Sequence, residues 1–133
     1  MTTLNNSHKV YSHLKHHISF EQEEVWIICL NSNKKPVQIK RLFIGTVDSC
    51  LWHPRDILKA VFVSSCSSFI ICHSHPGGDP HPSNEDIRTT KHLLEISKLV
   101  RVPMDDHVIL CENSYYSFVD SKKLKALKLG LRC

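Results

Sequence analysis

Ser67-Ser68-Phe69-Ile70-Ile71-Cys72-His73-Ser74-His75-Pro76-Gly77-Gly78-Asp79-Pro80-His81-Pro82-Ser83-Asn84-Glu85-Asp86 holds three kinds of text in succession. Residues 67–72 are a short apolar run that reads as a buried strand. Residues 73–82 hold three Pro and two Gly, so they read as a loop. Ser83 then opens a helix from about Asn84 to Val100, with Ile87, Leu93, Leu94 and Leu99 inward and Pro103 beyond its end. Working outward, Glu24 opens the run Val25-Trp26-Ile27-Ile28-Cys29-Leu30, a second buried strand. A turn at residues 31–36 leads to an alternating strand from Val37 to Ile44, stopped at Gly45. His53-Pro54-Arg55-Asp56 starts a helix with Ile57, Leu58, Val61 and Phe62 on its apolar face. Val108 to Cys111, a turn at residues 112–114, and Tyr115 to Val119 form a closing hairpin. The order strand, strand, helix, strand, helix, strand, strand predicts an α/β domain, a central mixed sheet covered by helices.

Composition narrows the function classes. At 133 residues, 41% hydrophobic and 23% charged, the sequence fits one globular domain and excludes wholesale disorder. The longest apolar run, Val25 to Leu30, falls far short of the roughly 20 residues of a membrane span, so no membrane role is expected. No apolar segment follows Met1, which argues against a signal peptide. Cys29, Cys72 and Cys111 lie inside apolar runs and read as core thiols, so a reduced, cytoplasmic protein is expected. The net charge of +4 comes from one place. Without Lys122, Lys123, Lys125, Lys128 and Arg132, 12 positive residues face 13 negative ones, a balance of −1. The basic character belongs to a C-terminal tail, which is either a solvated end or the site of weak nucleic acid contact.

The chemistry concentrates after the strand of residues 67–72. His8, His13, His16 and His17 lie in a polar stretch and read as surface residues, whereas His73, His75 and His81 cluster. Alternate strand residues point the same way, so His73 and His75 project together if the strand continues past Cys72. Asp86 follows His75 by eleven residues, in the first turn of the next helix, and the Pro/Gly loop can fold that turn back over the strand end. Two His and a carboxylate are an accepted catalytic zinc set with one position open. A base is also needed. Glu24, at the start of a buried strand, is the candidate that takes a proton from the zinc-activated water and returns it to the leaving nitrogen. Each piece has an ordinary reading too. Two His at a strand end are commonly loop residues, and Ser83-x-x-Asp86 is a helix-start pattern with Ser83 as N-cap. Their conjunction is what points to a site.

That conjunction resembles the JAMM (JAB/MPN) metalloprotease motif: a Glu, then His-x-His, seven residues, Ser, two residues, Asp. Within that superfamily the sequence looks like the RadC-type domain of bacteria. Supporting text is Gly45-Thr46-Val47-Asp48-Ser49, His53-Pro54-Arg55-Asp56, the loop from His75 to Pro80, Thr90, and Asp106-His107-Val108-Ile109. The resemblance implies a cytidine-deaminase-like sandwich. It also implies one Zn²⁺ per chain on His73, His75 and Asp86, Glu24 as acid/base, Ser83 as an oxyanion-side donor, and a peptide or protein substrate cleaved at a peptide or isopeptide amide. It runs from Glu21 to Leu124. That divides the chain into a polar His-rich extension (1–20), the hydrolase domain (21–124) and the basic tail (125–133). Two departures stand out: Ser74 and Gly77 where common RadC proteins read Asn and Ser, and no room for a helix-hairpin-helix ahead of residue 21. A zinc deaminase is disfavoured because no Pro-Cys-x-x-Cys exists here. The alternative from another class is a DNA-associated RadC-like accessory protein with a structural or vestigial metal. His107 reads either as a partner of the site or as a plain buried His.

Overall fold

Alternating side-chain direction along the strands sorts the apolar residues onto two buried faces of one sheet. The computed structural model describes residues 2–45 and 53–130. In chain order these form α1 (Ser7–Leu14), β1 (Glu23–Leu30), β2 (Pro36–Gly45), α2 (Pro54–Ser64), β3 (Ser68–Ser74), α3 (Asn84–Val100), β4 (Met104–Leu110), β5 (Tyr115–Ser117) and α4 (Lys123–Leu129). The strands lie side by side as β2-β1-β3-β4-β5. All neighbours are antiparallel except β3 and β4, which α3 joins. A parallel pair needs a crossover of a dozen or more residues, and α3 supplies it. This is the mixed α/β class that the element order predicts.

One face packs Val25, Ile27 and Cys29 of β1, Phe69 and Ile71 of β3 and Ile109 of β4 against Ile57 and Val61 of α2 and Leu93 and Leu94 of α3. The other packs Ile28, Leu30, Ile70, Cys72, Val108 and Leu110 against Val10, Tyr11 and Leu14 of α1. A shift of one residue along β1 or β3 therefore selects a different face and different neighbours. Two residues expected inward are exposed: Leu99 and Phe62. The stripe that α3 presents to the core is Thr90, Leu93, Leu94 and Ser97, and Leu99 falls off it. On α2 the stripe is Ile57, Ala60 and Val61, and Phe62 falls beside it.

The two ends of the chain differ from their reading as an extension and a tail. Leu4, Val10, Tyr11, Leu14 and Ile18 are all core residues, and the Tyr11 hydroxyl bonds to the carbonyls of Cys111 and Glu112 at 3.2 and 2.9 Å. Interspersed His and Lys hide this apolar period in the sequence. At the other end Leu124 is buried and Leu127 packs on the core, so α4 is docked while Lys125 and Lys128 stay exposed. Thr46-Val47-Asp48-Ser49 and Arg132 lie outside the described residues. Among the described residues no helix is long and apolar enough to cross a membrane.

Asp106 ties β4 to the chain after β5. Its Oδ1 accepts from the His107 and Val119 amides at 2.8 and 3.0 Å, and its Oδ2 accepts from the Ser117 hydroxyl at 2.6 Å. Burial pushes its carboxyl up to about 6, against the lowering effect of those hydrogen bonds. An unfolded chain releases this proton near pH 4, before the folded one does. Stability contributed at low pH is therefore lost as pH rises from about 4 to about 6, by about 3 kcal/mol at one unit per 1.36 kcal/mol. Asp106→Asn keeps the shape, accepts the two amide bonds and donates to Ser117. Urea unfolding at pH 4 and pH 7 should show this loss in the wild type and its absence in the variant.

Candidate metal centre

β3 does continue past Cys72, and its end carries the first two site residues. His73 lies on the α2/α3 face, nearly fully buried, opposite Val25 of β1. The His75 amide still bonds to the Leu110 carbonyl at 2.9 Å, which holds the chain beside β4 for one more residue. A turn follows, closed by the Gly78 amide on the His75 carbonyl at 3.4 Å, with Gly78 at φ 85°. That left-handed conformation favours glycine. The turn brings the Asp79 carbonyl back to His75 Nδ1 at 3.0 Å. A carbonyl only accepts, so Nδ1 carries a proton and Nε2 is the ring atom that faces Asp86.

Asp86 reaches the same point from α3. Ser83 Oγ accepts from the Asp86 amide at 3.0 Å, and the Asp86 carboxylate accepts from the Ser83 amide at 2.8 Å. This capping box fixes the carboxylate. Its two oxygens lie 3.2 Å from His73 Nε2 and 3.2 Å from His75 Nε2. The two ring nitrogens are 2.9 Å apart. Capping and site-building are thus one arrangement, not competing ones. Burial raises the Asp86 carboxyl, but the hydrogen bonds of His73 and His75 outweigh it and hold it well below the usual carboxylate range. Burial lowers His75, yet bonds to Asp86 and the Asp79 carbonyl, with the Asp86 and Glu23 charges, raise it on balance.

The carboxylate from β1 is Glu23, not Glu24. Glu23 Oε1 lies 3.8 Å from His73 Nε2, and one ligand atom each from Glu23, His73, His75 and Asp86 all fall within 4.8 Å of one another. Glu24 is adjacent in sequence, so its side chain takes the α1 face. There its carboxylate accepts from the Ser19 amide at 3.0 Å and the Trp26 indole at 2.9 Å, with Arg41 at 3.6 Å. Those partners, and not a metal, compensate the buried charge that singled Glu24 out. His81 is also outside the cluster, exposed and paired with Asp79 at 2.8 Å.

His107 is inside the arrangement. Its Nε2 is 2.9 Å from His73 Nδ1, its Nδ1 is 2.5 Å from Thr90 Oγ1, and its ring stacks on Phe118 with centroids 4.7 Å apart. Burial, with His73 beside it, holds its pKa well below the usual His range. β3 and β4 pair in parallel with Ile71 opposite His107, which puts His107 on the face of the sheet that carries His73.

The donor set suits a cation. Converging imidazole nitrogens and carboxylate oxygens repel one another unless a proton or metal lies among them, and two His with a carboxylate match zinc's preferences. The cluster's mixed sheet, crossover helix and His-x-His/Asp set define a JAB-type α/β domain. A match to the RadC-like JAB domain family runs over residues 4–124, and the chain belongs to that family. A UPF0758 protein of Clostridium botulinum is 40% identical over 116 residues, which cover 87% of this chain and 50% of that protein. A UPF0758 protein of Thermotoga maritima is 36% identical over 121 residues, covering 91% and 54%. One from Clostridium acetobutylicum is 37% identical over 99 residues, covering 74% and 43%. The chain spans about half the length of the relatives it matches.

Proposed function

We propose that this domain is a zinc-dependent hydrolase of the JAMM type that cleaves a peptide or isopeptide amide. The observation that carries the reading is the convergence of His73 Nε2, His75 Nε2 and the Asp86 carboxylate, with a second carboxylate, Glu23, at their edge. His73, His75 and Asp86 would hold the ion. Bound there, zinc would supply Lewis acidity, acidifying water and polarising a carbonyl. Glu23, close to the cluster but farther from His73 than Asp86 is, takes the acid/base role expected of Glu24. It accepts a proton from the attacking water and returns it to the leaving nitrogen. Glu23, His75 and Asp86 are partly exposed, which leaves a way in for substrate.

The experiment is zinc content by elemental mass spectrometry, followed by a screen of peptide and isopeptide substrates with the zinc-loaded chain. About one zinc per chain and metal-dependent cleavage are expected. A chain that takes up zinc yet cleaves no amide in a broad screen would count against the hydrolase.

Ser83 tests the chemistry separately. Its oxygen accepts from the Asp86 amide, which leaves the hydroxyl hydrogen free to donate to a carbonyl that is becoming tetrahedral. Ser83→Ala should lower stability by roughly 0.5–2 kcal/mol through the lost cap. Turnover per bound zinc should fall by roughly 10²–10³. A denaturation midpoint measured beside a normalised rate separates the two. Lower stability with normal turnover would reduce Ser83 to a cap.

A further inference from the structure

We propose that His107 and Thr90 are positioning residues: their hydrogen-bond chain sets the tautomer of His73 and so presents its Nε2 lone pair to the metal. The proposal rests on the metal-centre reading above.

The argument is a count of protons along a buried chain. Thr90 Oγ1 lies 2.7 Å from the Asp86 backbone carbonyl. A carbonyl cannot donate, so the single hydroxyl hydrogen of Thr90 is committed to it. Thr90 Oγ1 can then only accept from His107 Nδ1, 2.5 Å away. His107 is completely buried, and a ring removed from water stays neutral, with one proton. With that proton on Nδ1, its Nε2 accepts, and the donor is His73 Nδ1 at 2.9 Å. Every hydrogen counted in the chain points away from the cluster, so His73 Nε2 is the ring atom left to face Asp86 and His75 Nε2 and to offer its lone pair to a metal. His75 reaches the same state independently, through its Nδ1 and the Asp79 carbonyl.

Three features distinguish this from a core histidine satisfied by chance. The Phe118 ring lies 3° from parallel with His107, which fixes the plane of the imidazole. Thr90 and His107 come from different elements, α3 and β4, and meet only because the crossover lays one over the other. The chain also starts where the centre does: Asp86 offers its side chain to the cluster and its backbone carbonyl to Thr90. The first turn of α3 thus supplies one ligand and sets the proton position of another. Loss of such a ligand-orienting partner typically weakens metal affinity about 10–100-fold.

The test reads tautomers in the metal-free full chain, by long-range ¹⁵N–¹H correlation of the imidazoles, and zinc affinity by competition with a chelating dye. A protonated Nδ1 is expected for both His73 and His107, with Nε2 bare on His107. Thr90→Val removes the acceptor without changing shape. It should move the His107 proton to Nε2, drive the His73 proton onto its own Nε2, and weaken zinc about 10–100-fold. Thr90→Ser should restore both. A wild-type His73 whose Nδ1 carries no proton would overturn the proposal. So would a Thr90→Val variant that melts lower yet keeps the wild-type tautomers and affinity. Failure of the wild type to take up zinc would instead overturn the metal-centre reading, because the tautomers are read without metal.

Discussion

Replacing His73 and His75 together by Ala is expected to drop bound zinc from about one ion per chain to below about one tenth, with the sheet still folded. The two rings supply two of the three donors at close range, and the Asp86 carboxylate alone, already held by the Ser83 amide, is a weak monodentate site. The fold should survive because its two apolar layers meet on strands and helices away from the cluster. His75 is partly exposed and its truncation removes little packing, whereas the buried His73 ring leaves a gap beside His107. A loss of a few kcal/mol of stability is therefore expected, on the order of other buried large-to-small changes. Ligand nitrogens must be deprotonated, so wild-type uptake should weaken as pH falls below neutrality. Elemental mass spectrometry and circular dichroism of the same samples check both halves. Full zinc retention by the double variant would remove these residues from the site.

Much of the α/β order was legible because strand, breaker loop and helix differ in kind along residues 67–100. The helix read from Asn84 to Val100 has those ends in the structure, since Ser83 caps it and Arg101 closes it in a left-handed conformation. His73, His75 and Asp86 were legible as a set because their spacing has a geometric meaning: strand alternation for two, a helix first turn for the third. Glu23 was not. Two adjacent glutamates open β1, and composition cannot say which faces α3. Only the pairing of Val25 with His73 decides that the odd-numbered residues of β1 share the His73 face. His107 was hidden for a related reason. Its partner Thr90 lies 17 residues away on another element, and β4 had to be set parallel to β3 before either could be placed. The core role of residues 4–18 was masked by the His and Lys between the apolar positions.

The pair of glutamates gives the sharpest expectation for catalysis. Glu23→Gln should retain zinc and lose roughly 10²–10⁴ in turnover, because an amide cannot take a proton at working pH. The substitution leaves shape nearly unchanged, so stability should hold. Glu24→Gln should keep turnover within about threefold, well inside the cost of losing a general base. Its side chain sits on the opposite face of β1, among Ser19, Trp26 and Arg41. Reaching His73 would need a one-residue slip of the strand, which would turn Val25, Ile27 and Cys29 from the α2/α3 face to the α1 face and break both packed layers. Gln in that place still accepts from the Ser19 amide and the Trp26 indole, so the change is mild. Glu24→Ala strands both donors and should cost roughly 1–3 kcal/mol of stability. Rates normalised to bound zinc, with a urea midpoint for each variant, separate the two residues. Normal turnover in Glu23→Gln, or abolished turnover in a folded, zinc-loaded Glu24→Gln, would return the proton-transfer role to Glu24 and break the face assignment on which the centre is built.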